Sequence, residues 1–143
     1  MSTASVQRPD ITRLGRYRIN SRIGGGATSI VYAAHDDAMD REVAVKVIVA
    51  DLVDEREARE RFYREAKVTA QLLHRNIVAV LDIGEELGRP YIVMELLSGL
   101  PLGAHLAQHA PVPFAERLGL ITQLYEGLSA AHERGVVDRK SVV

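Results

Sequence analysis

Residues 23–32 read Ile23-Gly24-Gly25-Gly26-Ala27-Thr28-Ser29-Ile30-Val31-Tyr32, and after a polar turn the chain continues Val43-Ala44-Val45-Lys46. Three consecutive glycines open backbone conformations closed to residues with a Cβ and leave room for close approach to a ligand. Exposed backbone N–H groups in such a loop can cradle phosphate oxygens. The segments on the far side of the loop decide its kind. Ile30 to Ala34 is short, branched and aromatic, and Arg41 to Val49 reads as another strand. A glycine loop that leads into a helix suggests a dinucleotide fold, whereas this one lies between strands. The pattern points to a nucleotide clamp closed from above, with Lys46 reaching the phosphates from the third strand. Lys46 interrupts an apolar run, and a buried strand carries a charge only where something pairs with it.

The chain has 143 residues, which makes one domain the default. A chain of this length can bury roughly 68% of its unfolded surface, enough for a core. Net charge is −1, which gives no electrostatic case for nucleic acid or an anionic membrane surface. The absence of cysteine excludes disulfides, thiolate metal sites and cysteine nucleophiles. No apolar run reaches the length of a membrane span, and residues 1–9 lack the apolar centre of a secretory signal. A cytoplasmic protein is the plain expectation.

Residues 1–14 are polar and aperiodic, and are expected to form a flexible leader. Tyr17 to Ile23 alternates as a first strand, and Asp36 to Asp40 is a turn between the second and third. Glu55 to Leu73 is rich in Arg, Glu and Ala, with Phe62, Ala66, Thr69, Ala70 and Leu73 at helical spacing. Its Arg/Glu run from Asp54 to Arg64 reads as a solvated face. His74-Arg75-Asn76 breaks the helix. Ile77 to Ile83 and Tyr91 to Leu97 are two further strands, joined by a turn containing Gly88 and Pro90. After Ser98-Gly99 the chain turns helical, with a short helix over Leu102 to His109 and a longer one from Pro113 to about Arg134. Leu118, Ile121, Leu124, Leu128 and Ala131 line one face of the longer helix, and Gly135 ends it. That face needs a partner, since exposed it is a liability for solubility. The histidines show no shared metal-ligand spacing.

Strand order, inserted helix and motifs together resemble bacterial Hanks-type Ser/Thr protein kinases from about Arg16 to Val137. Ile23 to Val31 resembles the family's Gly-rich loop and Ala44 to Lys46 its V-A-I-K strand. Glu65 resembles the helix glutamate that pairs with the lysine. His74 to Val78 resembles the H-P-N-I-V segment, and Tyr91 to Glu95 the strand that runs into the hinge. The fold so implied is α+β: a kinase-like N-lobe over 15–97, with a five-stranded antiparallel sheet plus one helix. Hinge and partial C-lobe would occupy 98–143, with two helices. The implied ligand is ATP; Mg²⁺ is expected for the family, but its protein ligands are missing here. Ile23, Gly24, Gly25, Gly26 and Ser29 would line the loop over the phosphates, and Val31 and Ala44 would cover the adenine. Lys46 would bind the α- and β-phosphates, held by Glu65. Met94 would be the gatekeeper, while the Glu95 carbonyl and Leu97 amide would meet the adenine edge.

Departures from the pattern bear on activity. Ser29 replaces the third loop glycine, and Arg75 stands at the usual proline, a surface change expected to matter little. The catalytic loop should read H-R-D-L-x-x-x-N. Here Asp138 falls at the His position and Lys140 at the Asp position, and neither that Asn nor D-F-G is present. The expectation is a chain that carries the ATP-binding lobe but, truncated at the catalytic loop, is catalytically incomplete alone. Two other readings stay open: a nucleotide-binding or kinase-interacting module that pairs with a complete kinase or another protein, and a truncated relic.

Overall fold

The computed structural model describes residues 11–48, 55–108 and 111–136. They fall into two compact units, the first within Met1–Ala70 and Ala79–Leu96, the second within Gln71–Val78 and Leu97–Val143.

The first unit is a six-stranded antiparallel sheet and one helix. The strands are β1 (Arg13–Leu14), β2 (Tyr17–Gly25), β3 (Ser29–Asp36), β4 (Arg41–Ile48), β5 (Val80–Glu86) and β6 (Arg89–Glu95). Helix α1 (Arg56–Ala70) lies between β4 and β5, and the sheet order is β1-β2-β3-β4-β6-β5. Five strands are expected from the sequence; the sixth, β1, comes from the stretch read as a leader. Two residues cannot display alternation. Leu14 is nevertheless buried in the core, and the Ile19 N–H donates to the Thr12 carbonyl. The remainder of that expected leader, residues 1–10, lies outside the described residues.

Alternation sends the two sides of each strand into different cores. Val43, Val45 and Val47 of β4 face one way and pack with Leu14, Tyr17, Ile19, Tyr32, Ala34, Tyr91 and Val93. Fully burying each such valine stabilises the fold by about 1.5–3 kcal/mol. Ile48 and Ile92 face the other way and meet Phe62 and Ala66 of α1. The sheet curls around its first core until its edges touch. The Tyr17 hydroxyl donates to Asp82 on β5 at 2.5 Å, its ring stands edge-on to Tyr91 at 6.0 Å, and the Gly15 N–H donates to Glu86. Burial and the bond to Asp82 push the Tyr17 hydroxyl well above the phenol range, so it stays a donor.

Asp36, 0% exposed, makes the β3–β4 turn. Its Oδ1 accepts the N–H groups of Ala38 and Met39 and lies 3.1 Å from Arg16 Nε, while Arg41 Nε stands 3.7 Å from Oδ2. Beside it His35 is bracketed by Glu42 at 2.7 Å and Asp40 at 3.2 Å. The hydrogen bond to Glu42 raises the His35 pKa above its ordinary 6.5. The folded state therefore binds this proton more tightly than the unfolded chain. The stability it contributes is full below about pH 6.5 and lost as pH rises through the folded pKa. In an NMR titration, Glu42→Gln should move the His35 midpoint down toward 6.5; an unmoved midpoint would exclude Glu42 as the cause.

The β5–β6 connection is tighter than the sequence suggests. Leu87 (φ 50°) and Gly88 (φ 76°) form a two-residue turn with both φ positive, which matches the strand twist.

In the second unit, α2 (Leu102–Gln108) and α3 (Phe114–Glu133) follow one another. Pro113 stands at the N-cap of α3, one residue before the helix. Gly135 (φ 75°) closes it: its N–H donates to the His132 carbonyl and that of Val136 to Ala131, a Schellman arrangement. Gln71–Val78 groups with α3 although its sequence position suggests the N-lobe. Asn76 Nδ2 donates to the Gln123 carbonyl at 2.9 Å, and Arg75 pairs with Glu126 at 2.7 Å. Arg75 is a surface residue, as expected, and its guanidinium pairs this segment with α3. The pairing holds the Glu126 carboxyl below the usual carboxylate range. Leu118, Ile121, Leu124 and Leu128 are all exposed on α3.

Candidate functional site

The glycine loop is the tip of the β2–β3 hairpin, with Gly24 opposite Val31 and Gly25 opposite Ile30. The Gly26 N–H donates to the Ser29 carbonyl at 2.8 Å and closes the tip. The three glycines are not equivalent. At Gly25 (φ 149°) a Cβ would lie 3.0 Å from the Ser29 carbonyl oxygen and 3.1 Å from Ile30 Cα, so the bend itself requires glycine. At Gly26 a Cβ would meet nothing within 4 Å, and at Gly24 only Val31 Cβ at 3.9 Å. Glycine at those two places leaves backbone uncovered rather than relieving a clash. Ile23, before them, is exposed.

Register places the other residues. Val31 lies opposite Lys46, and Lys46 opposite Ile92. Ala44, two residues along the same side of β4, lies opposite Met94. Gly24, Val31, Ala44, Lys46 and Met94 therefore share one face, the face on which α1 packs. Ser29 opens β3 on that side, opposite Ile48. From α1, Glu65 reaches Lys46 with Oε1 2.6 Å from Nζ; the side chains are 57% and 22% exposed respectively. An ion pair so open contributes about 1 kcal/mol or less to stability. Its consequence is placement, since it holds an ammonium under the glycine hairpin. Glu95 ends β6, its N–H donating to the Ala79 carbonyl at 3.1 Å while its carboxylate accepts the Ala79 N–H at 2.8 Å. Leu97 belongs to the second unit and is exposed.

The charged run on α1 divides in two. Arg56–Glu60 and Glu57–Arg61 are solvated i,i+4 pairs, as expected. Arg59 and Tyr63 are not. Arg59 Nη2 pairs with Glu85 of β5 at 2.8 Å, Arg59 Nη1 donates to the Gly88 carbonyl, and the Tyr63 hydroxyl donates to Glu85 at 2.5 Å. The hydrogen bond from Tyr63 and the charge of Arg59 hold the Glu85 carboxyl low. These partners sit more than twenty residues apart, and only the i,i+4 spacing of Arg59 and Tyr63 beside Phe62 hints at a helix edge in contact.

Asp138 and Lys140, which the resemblance places at the catalytic loop, lie outside the described residues. Among the described residues no group of three or more His, Asp or Glu side chains converges as a metal site, and no helix is long and apolar enough to cross a membrane.

A curled antiparallel sheet with a glycine hairpin, a strand lysine joined to a helix glutamate, and helices beyond them is the architecture of a protein kinase N-lobe with the start of the C-lobe. The protein kinase domain family model matches residues 17–140, and the chain belongs to that family. Serine/threonine-protein kinase PksC of Streptomyces coelicolor is 39% identical over 133 residues, which cover 87% of this chain and 24% of PksC. PrkC of Bacillus subtilis is 39% identical over 125 residues, 87% of this chain and 19% of PrkC. The PknI kinase domain of Mycobacterium tuberculosis superposes with a TM-score of 0.73 at 30% identity, covering 97% of this chain and 56% of that one. The chain thus spans a quarter or less of these curated relatives' length.

Proposed function

We propose that this chain holds ATP as the nucleotide-binding part of a Ser/Thr protein kinase. One observation carries the reading: Gly24, Val31, Ala44, Lys46 and Met94 share a sheet face onto which α1 delivers Glu65, 2.6 Å from Lys46. In this reading the uncovered backbone of Gly24 and Gly26 approaches the phosphates, with Ile23, Gly25 and Ser29 shaping the loop. Val31 and Ala44 cover the adenine, and Met94 limits the depth of the pocket. Glu95 and Leu97 meet the adenine edge through their backbones. Lys46 neutralises the α- and β-phosphates while Glu65 keeps it extended. Mg²⁺ would accompany the nucleotide in the family, but the catalytic-loop Asn and D-F-G Asp that hold it there are absent from this sequence, and no described residues replace them. ATP as ligand places the chain on the cytoplasmic side of any membrane.

A second reading is supported by one sequence feature. Lys140 stands in the register of the catalytic aspartate, and a lysine ammonium cannot accept the proton of an acceptor hydroxyl. On that reading the chain binds nucleotide, or pairs with a complete kinase, without transferring phosphate itself.

Calorimetric titration of the 143-residue chain with ATP, with and without Mg²⁺, tests the first reading. One saturable site is expected. No binding by a chain with folded-state NMR dispersion would overturn it. Labelled-phosphate transfer to a generic protein substrate separates the two readings, and the second requires binding without transfer.

A further inference from the structure

Helix α1 sits on the sheet through Phe62 and Ala66, an apolar contact with Ile48 and Ile92. Apolar contact is non-directional and leaves the helix free to roll by a fraction of a turn. Among the described residues, two polar attachments restrict that freedom, and they lie on opposite flanks of the buried stripe. At about 100° per residue, Arg59 and Tyr63 stand roughly 60–100° to one side of Phe62, and Glu65 about 60° to the other. Arg59 and Tyr63 grip Glu85; Glu65 grips Lys46.

We infer that Glu85 is a positioning residue for the Lys46–Glu65 pair: by accepting from Arg59 and Tyr63 it fixes the roll of α1 at which Glu65 reaches the lysine. This rests on the reading that the pair serves ATP. The anchor is suited to the role because it is stiff. Glu85 is in register with Pro90 one step before the two-residue turn, and Arg59 also donates to the Gly88 carbonyl within that turn. Both donors converge on the same oxygen, Oε2 of Glu85, so one carboxylate sets both side chains. When the Glu85 anchor is lost, the Arg59 and Tyr63 flank is held less firmly, and the open Lys46–Glu65 contact becomes one of several positions rather than the favoured one. Glu85 touches no nucleotide in this arrangement and acts only through the helix.

Zero-length carbodiimide coupling reads the contact directly. It joins Lys46 Nζ to the Glu65 carboxyl as an amide, with water taken up by the reagent, only where the two touch, and peptide mass spectrometry locates the product. The full chain, Glu85→Ala and Tyr63→Phe are compared without nucleotide. A Glu85→Ala chain that keeps its far-ultraviolet dichroism should couple at least about fivefold more slowly, and Tyr63→Phe should slow in the same direction by less. A carboxylate that only stabilises the fold would lower the melting temperature and leave the coupling rate untouched. An unchanged rate in folded Glu85→Ala overturns the inference; should that variant unfold, an unchanged rate in Tyr63→Phe overturns it instead. ATP affinity, measured separately, should fall with Glu85→Ala and show no further fall when Glu65→Gln is already present. A parent chain that couples normally yet binds no ATP refutes the proposed function, while the coupling rates still decide the role of Glu85.

Discussion

On the proposed reading, Lys46→Ala should weaken ATP binding by about 10- to 100-fold while leaving the fold intact. A hydrogen bond to a charged group is worth about 1.5–3 kcal/mol, which corresponds to that range of affinity. The same substitution strips Glu65 of its partner. A carboxylate 57% exposed then stands near where the phosphates would lie, and like-charge repulsion pushes the loss toward the upper end. The fold survives because the pair is half open to water and contributes about 1 kcal/mol or less to stability. Glu65→Gln should cost less than Lys46→Ala, since it loosens the lysine without removing it. Calorimetry run beside a thermal melt checks both points. An unchanged affinity in folded Lys46→Ala would remove Lys46 from the site.

Much of this arrangement is legible in the sequence because it obeys the period of the chain. Val43-Ala44-Val45-Lys46-Val47 alternates between an apolar core and a face with one charge, and β4 is the centre of the sheet. The interrupting lysine implies a partner. That the partner is Glu65 comes from the resemblance to kinases, since a helical glutamate in a charged run has no signature of its own. The illegible parts depend on contacts between distant segments. Strand β1 is too short to alternate, and its Leu14 is recognisable as core only once the sheet curls. Arg75 looks like a tolerated surface change until Glu126, fifty-one positions on, comes beside it. Arg59 and Tyr63 look solvated until the β5–β6 hairpin folds back to them. The glycine triplet suggests three similar roles, yet φ and the space around each show that only Gly25 is needed for the bend. The apolar stripe of α3 is legible as a face, and it is exposed among the described residues.

Gly84→Ala destabilises the first unit by about 1–3 kcal/mol, the usual cost of overpacking a filled core. Gly84 on β5 lies opposite Tyr91 on β6, and the tyrosine ring folds across it. A Cβ there would stand 2.4 Å from Tyr91 Cζ and from its hydroxyl oxygen, closer than real atoms approach. The ring cannot step aside cheaply. Tyr91 is 7% exposed, it stands edge-on to Tyr17, and its hydroxyl lies 3.0 Å from where a Cβ on Gly15 would be. To move it is to part β1 and β2 from β5, where the curled sheet closes on itself. For a unit of this size the melting temperature should fall by several degrees, about 4–8 °C for each kcal/mol. The φ of Gly84 is not positive, so the cost is steric and not a matter of backbone freedom. That distinction gives a sign reversal. Tyr91→Ala alone should cost about 3–5 kcal/mol through the cavity it leaves. In that background Gly84→Ala should become neutral or stabilising, since alanine exceeds glycine within a strand by about 0.5–1 kcal/mol. Equal penalties in both backgrounds would place the cost in the backbone and refute the steric account. Because Glu85 directly succeeds Gly84 in the chain, the same ring that closes the sheet also steadies the strand from which Glu85 holds α1.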